Sequence, residues 1–140
     1  MDALKKFGNK NICTSAVIIR DYKILLGLRH YTPDKWKYIS VWTTPGGRCE
    51  EGETIEDNLR RETFEETGII HLKIIKFLGK VSAVKEGDTL YVFYCTTNQK
   101  AKLCEPDKFS KWEWFDIDKI PKDFINPRLL PLINGCANLE

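Results

Sequence analysis

The residues best equipped for chemistry lie between Glu50 and Glu66, where acidic side chains crowd together in a chain of formal net charge only +2. Glu50, Glu51, Glu53, Glu56 and Asp57 come at or before the start of what reads as a helix, and Glu62, Glu65 and Glu66 come near its end. The early group sits where the helix dipole welcomes negative charge, and the late group sits where it does not. Ile55 and Leu59 mark the inward stripe of this helix. At ~100° per residue, Glu62 and Glu66 project within roughly 20° of Ile55. Stacked at i, i+4, these like charges disfavour the helix by roughly 0.2–0.5 kcal/mol, and burying either unpaired costs several times more. Two readings resolve the conflict. One is a solvated charged face. The other is a hard divalent cation, Mg²⁺ or Mn²⁺, whose preferred ligands are carboxylate oxygens. Arg61, four residues before Glu65, is spaced to pair with it and orient it.

The helix that must carry these groups is well specified at its ends. Thr54 suits the N-cap, with Asp57 three residues on in the aspartate form of a capping box, and Gly68 suits a left-handed stop. Around it the chain reads as strands. TSAVIIR is a β-branched buried strand, Asp21-Tyr22 makes a turn, and KILLGLR is the hairpin partner. The polar and aromatic HYTPDKWKYIS reads mainly as a loop, after which VWTT leads as a short strand into Pro45-Gly46-Gly47. HLKIIKFLGKVSAV and TLYVFYCTT alternate in strand fashion around KEGD, and KWEWFDI is a further short strand. FINPRLLPLING holds a short helix interrupted by prolines. Strands around one strong helix, with a second near the carboxyl terminus, predict a mixed sheet covered by helices.

Composition bounds the rest. The 140 residues, 42% hydrophobic and 30% charged, describe one ordinary globular domain with no repeats or linkers. The small net charge gives no argument for a membrane or nucleic-acid partner. The amino-terminal MDALKKFGNKNIC has no secretory apolar run, and the five scattered cysteines contain no CxxC pair. Reduced thiols in the cytoplasm are therefore expected.

Gly47, Glu53 and the run Arg61-Glu62-Thr63-Phe64-Glu65-Glu66-Thr67-Gly68-Ile69 resemble the Nudix box, GX5EX7REUXEEXGU with U apolar. Every charged and glycine position matches; Thr63 stands where an apolar U is usual. WTTPGG also resembles the family's approach to the box. The resemblance implies a Nudix-type α/β/α sandwich around a central mixed β-sheet, with Mg²⁺ as cofactor and Mn²⁺ as a substitute. It implies that Glu62, Glu65 and Glu66 bind metal, with the Gly46 carbonyl as a further ligand. Glu53 would support the loop and Arg61 would orient a carboxylate by a salt bridge. A further acidic ligand from outside the box is expected at Glu105, with Glu113 as the alternative. Glu62 is the expected general base. Gly47 would let backbone approach the phosphates, and Arg29 resembles a phosphate-facing basic position.

The activity so implied is pyrophosphohydrolysis of a nucleoside diphosphate linked to another moiety. Markers of ADP-ribose, diadenosine polyphosphate, NADH and coenzyme A hydrolases are missing, which leaves nucleoside triphosphates as the expected substrate. Dinucleoside polyphosphates, ADP-ribose or nucleotide sugars, and RNA 5′ ends are the alternatives, with a non-catalytic nucleotide sensor as a reading of another class. Trp36, Tyr38, Trp42 and Phe124 are candidates to stack on a base. A local basic patch from Lys35, Lys37, Lys100 and Lys102 reads more simply as solvated surface. A homodimer is a candidate assembly, since many relatives of this kind are dimers.

Overall fold

The computed structural model describes residues 1–30 and 40–139. The loop expected from His30 to Ser40, with Trp36, Tyr38, Lys35 and Lys37, lies almost wholly outside the described residues.

A short helix α1 (Asp2–Lys5) precedes the hairpin β1 (Ile12–Arg20) and β2 (Lys23–Arg29). Asp21 and Tyr22 turn the chain with φ of 54° and 61°, the positive-φ pair of a type I′ two-residue hairpin loop. Two short strands follow, β3 (Val41–Thr43) and β4 (Gly46–Arg48), then the helix α2 (Ile55–Thr67). Strands β5 (Lys73–Ser82), β6 (Thr89–Thr96) and β7 (Phe109–Asp116) complete the sheet, and α3 (Leu130–Gly135) closes the described chain with flanking 3₁₀ turns. Sequence periodicity anticipates most of these. It does not anticipate α1, too short to show a period, or β4, whose glycines carry no strand signal. In β5 the expected alternation is interrupted by register shifts between Ile74 and Lys76 and between Phe77 and Gly79.

The strands run β3-β2-β1-β6-β5, with β4 paired to β1 and β7 to β2. The β1–β6 ladder is parallel, from Ile12 opposite Thr89 to Ile18 opposite Cys95, and the other pairings are antiparallel, so the sheet is mixed. Successive β1 side chains face opposite ways. Ala16 and Ile18 join Ile55 and Leu59 of α2 in one buried cluster, while Val17 and Ile19 join Leu129 and Ile133 in another. Ile18, Ile19, Ile55 and Leu59 are wholly buried, each adding about 1.5–3 kcal/mol of hydrophobic stabilisation. Helices thus cover both faces.

One detail of register creates the site. β1 pairs with β2 only beside the turn, at Ile19 and Arg20, and with β4 at Cys13, Thr14 and Ser15. The sheet therefore splits between β1 and β2, and β4 carries Gly46 and Gly47 along the edge of the opening.

Candidate active site

The helix α2 starts and stops where its sequence says. The Asp57 amide donates to Thr54 Oγ1 at 3.1 Å, and Gly68 takes φ 73° while its amide bonds the Phe64 carbonyl. The amino-terminal segment adds what the sequence did not reveal: the Ile55 amide donates to the Lys6 carbonyl at 2.8 Å, and the Gly8 amide to that of Glu53 at 2.8 Å. Between these caps the carboxylates fall as periodicity predicts. Glu66 is only 5% exposed, Glu62 is half-buried, and Glu65 stands on the flank in solvent.

Arg61 organises the cluster. Its Nε donates to Glu53 Oε2 at 2.6 Å and its Nη2 to Glu53 Oε1 at 3.1 Å, a bidentate pair. Its Nη1 reaches both Glu62 Oε1, at 3.1 Å, and Glu65 Oε1, at 2.9 Å. Glu53 also accepts from the Glu50 amide at 2.9 Å. The Arg61 hydrogen bond pulls the Glu53 pKa down to about 2, against the opposing effect of burial. Glu53 therefore does more than meet a helix dipole: it ties the loop after β4 to the middle of α2.

Glu66 is treated differently. Among the described residues its hydrogen bond comes from the Gly46 amide, at 2.9 Å on Oε1. Burial pushes its pKa up to about 8; the Gly46 amide opposes this, the charges of Glu62 and Glu105 add to it, and Arg29 opposes it. Burial likewise raises Glu62, which Arg61 offsets in part. Glu105 is thus within electrostatic reach of both, and it also pairs with Lys108 at 3.6 Å. Glu113 is not brought there. It pairs with Lys111 at 2.9 Å and alternates with Trp112 and Trp114, which pack on the α2 side, so it faces the other way.

The side chains of this cluster offer carboxylate oxygens, a hard donor type that suits Mg²⁺ or Mn²⁺, with the backbone of Gly46 beside Glu66. The buried Glu66, with the Gly46 amide on one oxygen and the half-buried Glu62 beside it, fits such a cation physically. As placed, no three Asp, Glu, His or Cys side chains among the described residues stand close enough to grip an ion.

The glycines beside the cluster are there for room. Gly46 has φ 147°, and a Cβ on it would strike the Thr14 carbonyl. A Cβ on Gly47 would occupy the place of the Glu62 carboxylate. Both line a cleft of ≈ 730 Å³ that opens where the sheet splits, with Arg29, Thr44, Ile125 and Asn126 also on its wall. That volume lies within the range of small-molecule sites, about 300–1,000 Å³.

Two expected base-stacking residues do not reach this cleft. Trp42 and Phe124 are 9% and 8% exposed and belong to the cluster around α3. Trp42 meets Phe115 edge-on, with ring centroids 4.7 Å apart. Its amide donates to the Asp123 carbonyl and its carbonyl accepts from the Ile125 amide, so it fastens the carboxyl-terminal segment against β3. Both are core residues that place Ile125 and Asn126 rather than contacts themselves. Residues the sequence did not single out appear instead. Ser15 and Thr44 share a buried hydroxyl hydrogen bond of 2.6 Å at the cleft wall. Asp88, also on the wall, is buried against Arg48 Nη1 at 2.7 Å; burial works against its charge, but Arg48 and Asn11 hold its pKa below the ordinary value. These positions are far apart in sequence, and no local pattern announces them.

Comparison with known proteins identifies the family. The family model for the NUDIX domain matches residues 10–134. The chain is 30% identical to an oxidized purine nucleoside triphosphate hydrolase of Danio rerio, over 79% of this chain and 69% of that protein. It is 32% identical to an ADP-ribose pyrophosphatase of Methanocaldococcus jannaschii, over 79% of this chain and 64% of that protein. The crystal structure of a NUDIX hydrolase from Nitrosomonas europaea superposes with a TM-score of 0.75 at 19% identity, covering 94% of this chain and 72% of that one, a likeness of fold. The chain belongs to the NUDIX hydrolase family.

Proposed function

We propose that this protein is a Mg²⁺-dependent pyrophosphohydrolase of nucleoside triphosphates, releasing a monophosphate and pyrophosphate. The observation that carries the reading is Glu66: a buried carboxylate held by the Gly46 amide, within electrostatic reach of Glu62 and Glu105 and beside the two glycines that line an open cleft. A polyanionic substrate repels an attacking water, and a bound divalent ion neutralises phosphate oxygens and acidifies that water. Glu62, Glu65, Glu66, Glu105 and the Gly46 carbonyl would hold the ion. Glu62 would take the proton of the attacking water, its raised pKa making it a better acceptor than an ordinary glutamate. Arg29 would face the phosphates, and Gly47 would let the backbone approach them. Arg61 would hold Glu62 and Glu65 in register through its shared Nη1.

The relative named for oxidised purine triphosphates supports the substrate class. The relative named for ADP-ribose favours a second reading, with the same chemistry on a different diphosphate. A panel of canonical and oxidised nucleoside triphosphates, dinucleoside polyphosphates, ADP-ribose, nucleotide sugars and 5′-triphosphorylated RNA, resolved by anion exchange, decides between them. Monophosphate plus pyrophosphate from a triphosphate, requiring Mg²⁺, is the expected result. Preferential release of AMP and ribose 5-phosphate from ADP-ribose would replace the substrate assignment and keep the chemistry. Tight nucleotide binding without turnover would replace both with a sensor.

A further inference from the structure

Asn58 is wholly buried on the inward side of α2, one turn before Glu62. A hydrocarbon there would add to the core, whereas an amide stabilises nothing unless its polar atoms are matched. Every partner it finds leads towards the carboxylates. Its Nδ2 donates to the Arg48 carbonyl at 2.9 Å and to Glu53 Oε1 at 3.2 Å, and its Oδ1 accepts from Thr14 Oγ1 at 2.5 Å. Those partners sit on β4, on the loop before α2, and on β1 respectively.

Two routes run outward from this amide. The first passes through Glu53 to the bidentate Arg61 and on to Glu62 and Glu65. The second passes through Arg48 along β4 to Gly47, which backs the Glu62 carboxylate, and to Gly46, whose amide holds Glu66. Thr14, which lies opposite Gly47 in the β1–β4 register, anchors the same amide to the sheet. Helix, glycine strand and sheet meet at one side chain.

We infer that Asn58 is a positioning residue, fixing the spacing between the α2 carboxylates and the Gly46-Gly47 strand and thereby the affinity of the metal site. The inference rests on the hydrolase reading above. Residues that support ligands from behind change metal affinity or activity by about 10–100-fold when removed. A residue that only fills space changes stability.

The test measures Mn²⁺ affinity by electron paramagnetic resonance without nucleotide, alongside kcat, KM and thermal midpoint. Asn58→Ala should weaken Mn²⁺ binding about tenfold or more and lower kcat comparably, with KM little changed. Ile55→Val, which trims the same helix face without touching the network, should lower the midpoint and leave Mn²⁺ affinity within about twofold. The losses of Asn58→Ala and Glu53→Gln should combine less than additively, because both act through Arg61. Asn58→Ser serves where the alanine variant does not fold. A drop in midpoint with Mn²⁺ affinity and kcat within about twofold of wild type overturns the inference and leaves the hydrolase reading intact. A wild-type protein that binds no Mn²⁺ and hydrolyses nothing overturns both.

Discussion

Glu53 and Glu66 stand at opposite ends of one acidic segment, and the fold treats them in opposite ways. Glu53 receives hydrogen bonds from the Glu50 amide, Asn58 and both arms of Arg61, and its pKa falls to about 2. Glu66 is buried beside like charges with the Gly46 amide on one oxygen, and its pKa rises to about 8. The protein saturates the carboxylate that organises the site and leaves the other short of positive charge. On the proposed reading the missing charge comes from a bound cation, which would separate architecture from chemistry within one helix.

The comparison breaks most visibly at Glu66. Glu66→Gln keeps the shape and an acceptor for the Gly46 amide while removing the buried charge. Metal-dependent turnover should fall by on the order of 10²–10⁴-fold, while the metal-free protein at pH 8 becomes more stable. Steady-state rates and urea melts in chelator check both, and a variant that loses stability at pH 8 would show that the charge is satisfied after all. Removing Arg61 should move stability the other way. Arg61→Ala leaves the partly buried Glu53 without its cationic partner and should lose roughly 1–3 kcal/mol in the same melts. Unchanged stability there would mean that solvent replaces the guanidinium.

Gly47→Ala tests the boundary between the two regions. Its methyl displaces the Glu62 carboxylate, so kcat should drop about 10²-fold with little change in thermal midpoint. The pH dependence of stability sharpens the contrast further. Glu53, with a folded pKa below the ordinary 4.5, gives stability that is full above pH 4.5 and is lost as pH falls towards 2. Glu66, with a folded pKa above 4.5, makes the metal-free chain less stable as pH climbs from 4.5 to 8, because the unfolded state releases that proton first. Glu53→Gln should flatten the acid limb and Glu66→Gln the alkaline one. The smallest effect is expected at Thr63, whose buried Oγ1 has no hydrogen-bond partner among the described residues. Thr63→Val should raise stability by about 1 kcal/mol and leave turnover unchanged.

Much of this was legible from local pattern. The helix caps at Thr54 and Gly68, the inward aim of Glu62 and Glu66, and the Arg61–Glu65 pair all follow from spacing within one helix, where geometry repeats every few residues. The hairpin at Asp21-Tyr22 is equally local. What was not legible depends on segments distant in the chain. Trp42 and Phe124 have the composition of a stacking platform, but neighbours such as Phe115 bury them. Gly46 to Arg48 lacks strand propensity and becomes β4 because β1 offers it an edge.

The sequence by itself thus determined the acidic helix, its polarity and the family to which the chain belongs, because those are properties of residue type at fixed spacing. Tertiary structure alone decided which carboxylate is satisfied and which is not. A side chain's charge state is set by burial and by partners such as Asn58, Gly46 and Glu105, and those are settled only when β1, β4 and α2 come together.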